Sequence, residues 1–215
     1  MKLVVFGATG NIGQRIIQEA LNRGHEVKGV ARHPERLTLS HPRLSLEAGN
    51  VLDPAAVARL VSGYDAVISA VGPSRAEAED PRMVVQAAQA LIEGLKRAGV
   101  KRLVVVGGAG SLEVAPGVRL MDTPDFPPAW RPIASAAAEA LEIYRQQGAD
   151  LDWTYFSPAA FIEPGQRTGR YRLGTDQLVT NDKGESRISM EDYAVALLDE
   201  IEQPRFVRQR FTVAY

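Results

Sequence analysis

Short apolar runs alternate with segments of helical period through about the first two thirds of the chain, and this alternation constrains the fold most. The first run, Lys2–Phe6, predicts a buried strand, and apolar residues at Ile12, Ile16 and Ala20 then mark one face of a helix. Strands separated by helices form parallel sheets through right-handed crossovers. The sequence therefore predicts an α/β fold with a doubly wound parallel sheet.

The same patterns predict the remaining elements of this sheet. Further strands are predicted at 27–31, 44–48, 65–71, 101–106 and 151–156, and further helices at 53–61, 81–98 and 134–147. Glu77 and Glu79 precede the helix at 81–98, where acidic residues favour the helix dipole. Residues 107–128 show little periodicity, and a loop of that length is usually functional or disordered.

The tail after Phe156 departs from the alternation. It predicts short strands at 167–173 and 176–180, a turn at 181–186 and a final strand at 210–215. A helix is predicted at Ser189–Glu202, where Ser189 and Asp192 have the spacing of a capping box. We expect one domain over residues 1–215, in which residues 157–215 form a small C-terminal α/β elaboration on the substrate side.

Composition excludes several classes of protein. The chain has 215 residues, a formal net charge of −1 and mixed charges, so neither nucleic acid nor an acidic membrane is an expected partner. It has no cysteine, which excludes disulfides and thiolate chemistry, and its three histidines fall on different elements, so no metal site is expected. No leader pattern or apolar stretch of ~20 residues is visible. We expect a cytoplasmic protein of undetermined oligomeric state.

The stretch GATGNIG lies between the first strand and the first helix, which is the context of a dinucleotide-binding turn. Gly7 allows a tight turn, Gly10 lets the backbone approach a diphosphate, and Gly13 lets the helix pack closely on the strand. The N–H groups at the helix start, around Ile12, then face the phosphates. Thr9 and Asn11 could add side-chain hydrogen bonds. The sequence thus predicts a Rossmann fold with a nicotinamide dinucleotide cofactor.

The end of the second strand predicts which cofactor is preferred. Sites specific for NAD hold the ribose hydroxyls with an acidic residue, but no acid occurs between Val27 and Pro34. Arg32 stands at the strand end beside His33, and a guanidinium there can pair with a 2′-phosphate. We expect NADP(H) to be preferred over NAD(H).

Ligands of doubly wound sheets bind at the carboxyl ends of the strands, which indicates further contacts. Asn50 and Val51 follow the third strand and are predicted to meet adenine. Residues predicted to line the ribose and diphosphate, and then the nicotinamide, end the fourth and fifth strands: Ala70, Val71, Gly72, Gly107 and Gly108.

With these motifs in view, the chain resembles the atypical short-chain dehydrogenases with a GxxGxxG motif, and more narrowly the bacterial NADH-flavin reductase group. The matching stretches are GATGNIG, GHEVKGVARHPERL, DAVISAVGP, KRLVVVGGAGSLEVAPGVRL, DTPDFP, DWTYFSPAAFIEPG and RISMEDYAVALLDE. They span nearly the whole chain. The resemblance implies a Rossmann domain, NAD(P) binding, and a flavin or quinone-like small molecule as the acceptor.

One departure from the wider family bears on mechanism. Carbonyl-reducing relatives use a Ser after the fifth strand and a Tyr-x-x-x-Lys pair on the next helix, in which the Tyr donates a proton. Here the fifth strand ends in Gly107-Gly108, and Arg131 and Ser135 hold the corresponding helix positions. Proton donation by that pair is not expected, and no catalytic residue is assigned.

Hydride transfer to a conjugated ring needs no strong protein acid, so positioning would be the protein's task. The glycines after the fifth strand would leave room for a flat ring, and Phe126, Trp130 and Phe161 are candidates for its apolar walls. The alternative is a protein that binds NADP(H) without catalysis and senses redox state, as NmrA-like relatives are thought to do.

Overall fold

The computed structural model describes residues 1–73 and 80–215, so Glu77 and Glu79 lie outside the described residues. The strands are β1 (Lys2–Phe6), β2 (Glu26–Ala31), β3 (Leu44–Ala48), β4 (Ala66–Ser69), β5 (Arg102–Val106), β6 (Glu113–Ala115), β7 (Val118–Arg119), β8 (Asp152–Ser157), β9 (Phe161–Glu163), β10 (Arg172–Gly174), β11 (Arg187–Ser189) and β12 (Gln209–Ala214). The helices are α1 (Asn11–Asn22), α2 (Pro54–Val61), α3 (Met83–Ala98), α4 (Arg131–Gln147) and α5 (Met190–Glu202).

One eight-stranded sheet organises the molecule, in the order β10-β12-β8-β5-β4-β1-β2-β3. All neighbouring strands are parallel except the edge strand β10, which runs antiparallel to β12. The strand order reverses between β1 and β4, and this switch point opens a crevice at the carboxyl ends of the strands. The predicted doubly wound Rossmann fold is confirmed.

Helices cover both faces of the sheet and enclose two apolar cores. On one face α1 and α5 pack together over Ile16, Phe156 and Leu197, all completely buried. On the other face α2, α3 and α4 pack in sequence over Val67, Leu91 and further apolar side chains. The cores position the carboxyl ends of β1, β4, β5 and β8 side by side at one edge.

The C-terminal elaboration is held to the main sheet by β12 and by the start of α5. Ser189 caps α5 as predicted, because its hydroxyl accepts a hydrogen bond from the N–H of Asp192 at 3.0 Å. The carboxylate of Asp192 does not complete the capping box. It accepts instead from the N–H of Thr168 and of Gly169, both at 2.7 Å, and from the hydroxyl of Tyr215 at 2.8 Å.

Several predicted boundaries are wrong by a few residues, and one predicted strand is absent. Helix α3 begins at Met83 because Asp80 and the following residues form a turn, in which the Asp80 carboxylate accepts from Arg82 N–H at 2.8 Å. Helix α4 begins three residues before the predicted start. The stretch 176–180 forms no strand and makes a single bridge through Gln177 to Glu113. The aperiodic stretch 107–128 contains the hairpin of β6 and β7.

Within residues 1–73 and 80–215, no helix has both the length and the hydropathy to cross a bilayer. The same residues contain no cluster of three histidine, aspartate or glutamate side chains arranged as metal ligands.

Candidate functional site

The glycine-rich turn after β1 has a backbone that other residues could not adopt without strain. Gly7 has φ +79°, in the left-handed region that favours glycine. A Cβ on Gly7 would lie 2.4 Å from the carbonyl oxygen of Ala70 at the end of β4. Gly7 therefore both turns the chain and allows close approach of the neighbouring strand end.

The start of α1 is packed directly on this turn. A Cβ on Gly13 would lie 2.1 Å from the carbonyl oxygen of Gly7, well inside van der Waals contact. A Cβ on Gly10 would meet only that same oxygen, at 3.3 Å. The space beside the Cα of Gly10 is therefore otherwise open among the described residues, while Gly13 is required by packing alone.

The first turn of α1 presents free donors. The N–H groups of Asn11, Ile12 and Gly13 donate to no acceptor within the described part of the chain, and no side chain caps the helix. Its first turn also holds no acidic residue. The side chains of Thr9 and Asn11 likewise have no hydrogen-bond partner among the described residues. Three free N–H groups at a positive helix end are the chemistry that binds phosphate.

The end of β2 lies against the same turn. The N–H groups of Gly7 and Ala8 donate to the carbonyl of Val30 at 3.0 and 3.2 Å, so the chain leaves β2 beside the motif. Arg32 follows two residues later and its side chain is exposed. His33 is also exposed, and its Nδ1 lies 3.2 Å from a carboxylate oxygen of Glu35.

The loop after β3 is shaped by Asn50. Its side-chain oxygen accepts from the N–H of Leu52 at 3.0 Å, which leaves the amide nitrogen as its remaining polar atom. Val51 is 8% exposed and belongs to the core under α2. Of this pair of side chains, Asn50 therefore offers its amide N–H groups and the second lone pair of its oxygen for a polar contact.

A cavity of about 700 Å³ opens at the carboxyl ends of β4, β5 and β8. Six of the fifteen predicted cofactor residues line it: Ile12, Ala70, Val71, Gly72, Gly107 and Gly108. The other nine lie outside its lining, on the glycine-rich turn and after β2 and β3: Gly7, Thr9, Gly10, Asn11, Gly13, Arg32, His33, Asn50 and Val51. Ile12 connects the two groups, because it follows the turn and lines the cavity.

The glycines after β5 do not leave the free space expected for a flat ring. A Cβ on Gly107 would lie 2.1 Å from the ring of Tyr155, and one on Gly108 would lie 3.0 Å from the Cβ of Ala137. Their missing side chains let α4 and the Tyr155 ring pack against this loop.

Three aromatic side chains line the outer part of the cavity, as predicted for its walls. Trp130 is 37% and Phe161 51% exposed, which places both at the mouth. Phe126 meets Trp130 edge to face, with ring centroids 6.4 Å apart. The guanidinium of Arg187 lies 5.1 Å from the centroid of the Phe161 ring and supports it from outside.

Three buried hydroxyl residues line the inner part of the cavity: Ser69, Tyr144 and Tyr155. The Tyr155 hydroxyl donates to the carbonyl of Ala137 at 2.8 Å. Burial raises the pKa of both tyrosines, so both stay protonated at neutral pH. The sequence carries no signal for these residues, because a serine or tyrosine inside an apolar run is indistinguishable from core packing.

Several curated proteins match the chain, among them the following two. YwnB of Bacillus subtilis is 42% identical over 216 residues, which cover 99% of this chain and 98% of YwnB. Cinnamoyl-CoA reductase 1 of Oryza sativa is 30% identical over 120 residues, which cover 52% of this chain and 36% of that protein. The chain therefore spans only about a third of the second relative's length.

Many solved structures share this architecture, and the following three each cover 100% of this chain. A Burkholderia pseudomallei protein provisionally described as exported is 49% identical, with a TM-score of 0.90 over 100% of its own chain. A Bacteroides thetaiotaomicron protein provisionally described as an epimerase is 42% identical, with a TM-score of 0.91 over 96%. A Streptococcus pneumoniae protein provisionally described as an NADH-flavin reductase is 35% identical, with a TM-score of 0.87 over 99%.

A family model described as NAD(P)H-binding matches residues 7–204, from the first glycine of the turn to the end of α5. The matched range includes the glycine-rich turn, the end of β2 and the whole cavity lining. The chain belongs to this NAD(P)H-binding family, and its fold and neighbours make it an atypical short-chain dehydrogenase.

Proposed function

We propose that this protein is an NADPH-dependent reductase whose acceptor is a flat conjugated molecule such as a flavin or a quinone. The observation that carries the proposal is the juxtaposition of a helix start with three free N–H groups and a large apolar cavity. The free N–H groups at the helix start suit a diphosphate, and the apolar cavity suits a ring system. Ile12 belongs to both.

The residues of the turn fit the cofactor. A Cβ on Gly7 or Gly13 would collide with the backbone, so both positions require glycine. The N–H groups of Asn11, Ile12 and Gly13 lack acceptors in the described chain. In this proposal these groups hold the diphosphate, and Arg32 selects the 2′-phosphate by its position after β2. When bound, NADPH would supply a hydride with its electron pair and leave as NADP⁺, and the reduced acceptor would take one proton from water.

The acceptor side of the proposal rests on the chemistry of the cavity lining. Helix α4, whose sequence is RPIASAAAEALEIYRQQ, contains no lysine, so the Tyr-x-x-x-Lys pair of carbonyl reductases has no equivalent there. Apolar side chains dominate the lining, and a conjugated ring accepts negative charge without a protein acid. The protein's contribution is then to hold the two rings in contact and to exclude water.

Residues 157–215 form the substrate side of the site in this proposal. Phe161, Ile162 and the three residues before them line the cavity. Strand β9 pairs with β11, so the position of Phe161 depends on the elaboration as well as on the main sheet. The name of the Streptococcus pneumoniae neighbour supports a flavin acceptor for this chain.

The test is a panel assay with NADPH and riboflavin, FMN, FAD and several quinones, followed by loss of nicotinamide absorbance. We expect turnover above the reaction in free solution with at least one acceptor. Tight NADPH binding without turnover across the panel would contradict catalysis and favour the redox-sensing alternative.

Arg32→Ala should change the choice of cofactor. Loss of the guanidinium removes a charge-assisted interaction with the 2′-phosphate, so NADPH affinity should fall about tenfold while NADH affinity stays the same. Titration of both cofactors into both proteins measures the ratio. Arg97→Ala, which removes another exposed guanidinium on α3, is the control and should leave the ratio unchanged. An unaltered ratio in Arg32→Ala would rule out Arg32 as the selector.

Phe161→Ala should weaken acceptor binding without destabilising the fold. The ring is half exposed, so the free energy of unfolding should change by less than about 0.5 kcal/mol. The KM for the acceptor should rise several-fold, because an aromatic wall at the mouth is lost. Val118→Ala truncates an equally exposed apolar residue that does not line the cavity. If both variants have the wild-type KM, Phe161 does not contact the acceptor.

A further inference from the structure

One part of the cavity lining is buried, whereas the residues at the mouth are exposed. Ser69, Val105 and Tyr155 are register partners on adjacent strands β4, β5 and β8, so they form a row across the sheet. Tyr144 of α4 also lines this part of the cavity. These four residues are between 1% and 7% exposed, in contrast to Trp130 and Phe161 at the mouth. We call these four residues the cavity floor.

Small side chains on two helices leave space above the floor. Ala87 of α3 and Ala140 of α4 both line the cavity and are 3% exposed. Cavity-lining residues of α4 recur every three or four positions from Ala134 to Tyr144, so one face of the helix borders this space. The space is therefore a narrow extension of the cavity between α3 and α4.

Two hydroxyl groups at the floor have no partner. Neither the Ser69 nor the Tyr144 hydroxyl makes a hydrogen bond to any described residue, and neither oxygen is among the fully enclosed unpaired atoms. Both residues line the cavity and are at most 3% exposed, so the cavity is the space that their unpaired hydroxyls can reach. Buried hydroxyls in folded proteins are nearly always hydrogen-bonded, so two free ones in a cavity indicate a polar ligand atom.

The charge of the lining restricts what that ligand atom can be. Asp125 is the only charged side chain among the described residues that line the cavity, and it lies among the residues of the outer loop. Among the lining residues that the structure describes there is no cation to pair with a buried carboxylate or phosphate, and an unpaired charge in such a place is costly. A neutral oxygen is the group that suits the floor.

We propose that the cavity floor binds a slender, neutral, oxygen-bearing substituent of the acceptor, whose oxygen accepts hydrogen bonds from Tyr144 and Ser69. The inference rests on the proposed function, which places the acceptor in this cavity. It narrows the acceptors to flat conjugated molecules that carry a short side group ending in a hydroxyl or carbonyl oxygen. Tyr144 and Ser69 are then specificity-determining residues.

The experiment uses probes that cannot be reduced and needs no cofactor. Binding of 2-phenylethanol and of propylbenzene, which differ by a hydroxyl in place of a methyl, is measured by calorimetry or ligand-observed NMR. Tyr144→Phe should weaken 2-phenylethanol about tenfold, or ~1.4 kcal/mol, and leave propylbenzene unchanged. Phenylacetate, the ionised analogue, should not bind.

Two further variants separate binding from folding. Ser157→Ala removes another buried unpaired hydroxyl that does not line the cavity, and it should leave both affinities unchanged. Ala140→Leu should fill the narrow space and abolish binding of both probes.

Tyr144→Phe should melt at or above the wild-type temperature, because its lost hydroxyl had no protein partner. If Tyr144→Phe is misfolded, Ser69→Ala tests the same selective loss of 2-phenylethanol.

The proposal is overturned if Tyr144→Phe and Ser69→Ala both weaken the two probes equally or not at all. It is also overturned if Ala140→Leu binds them as the wild type does. Failure of the proposed function would look different. No acceptor of the panel would then be reduced, while the selective loss of 2-phenylethanol in Tyr144→Phe would persist.

Discussion

Gly13→Ala should lose both cofactor binding and stability. The new methyl group would lie 2.1 Å from the carbonyl oxygen of Gly7, and a backbone oxygen cannot rotate away. Helix α1 must therefore move off the turn, which should lower the free energy of unfolding by about 3 kcal/mol. The same movement displaces the free N–H groups at the helix start, and NADPH affinity should fall about 100-fold. Denaturant unfolding and calorimetric titration measure the two effects.

Gly10→Ala is the matched comparison on the same turn. Its methyl group would meet one oxygen at 3.3 Å, so unfolding should change by no more than about 1 kcal/mol. NADPH affinity should still fall, because the methyl group would occupy open space beside the backbone that is proposed to approach the diphosphate. Wild-type NADPH affinity in either variant would contradict the assignment of the turn.

Asp192→Ala should be the most destabilising change in the C-terminal elaboration. The Asp192 carboxylate is fully buried and accepts two backbone hydrogen bonds and two from hydroxyls, those of Thr168 and Tyr215. Its removal leaves the N–H groups of Thr168 and Gly169 without their acceptor, and we expect a loss of about 3 kcal/mol. Asp182→Ala, at an exposed turn, is the control and should change stability by less than about 0.5 kcal/mol.

The effect of Asp192→Ala should also depend on pH. Burial opposes ionisation of Asp192, but the hydrogen bonds from Thr168, Gly169 and Tyr215 outweigh it and hold its pKa below the usual range. A carboxylate with a lowered pKa in the folded state stabilises the fold above the unfolded pKa of about 3.9 and loses that contribution in acid. The stability difference between wild type and Asp192→Ala should therefore shrink as pH falls from 5 to 2. A difference that is constant over that range would contradict the hydrogen-bonded, ionised state of Asp192.

The sequence predicts the sheet well because each strand and helix carries its own hydrophobic period. Strand β1 has the predicted bounds, and α5 has its predicted Ser189 cap. The stretch 176–180 looks like a strand by composition, yet it only bridges to Glu113 through Gln177, while β10 takes the place beside β12. Such competition between segments depends on tertiary contacts that local patterns do not contain.

The glycine-rich turn was predictable because the spacing of its three glycines is typical of one backbone geometry. The cavity has no such local pattern and was not predictable. The sequence predicts free space beside Gly107 at the end of a strand, but the ring of Tyr155 occupies that space. The floor hydroxyls of Ser69 and Tyr144 become visible only when strands and helices far apart in the chain are brought together. The cofactor-binding residues remain predictions that geometry supports and binding experiments test.

The central claim is that the turn between β1 and α1 holds the diphosphate of a nicotinamide cofactor. Isothermal titration of NADPH and NADH into the folded wild-type protein tests it most directly. We predict saturable binding of both, with NADPH about tenfold tighter, which corresponds to ~1.4 kcal/mol. The claim would be contradicted if neither NADPH nor NADH, at millimolar concentration, produced binding heat or competed with the other cofactor for the protein.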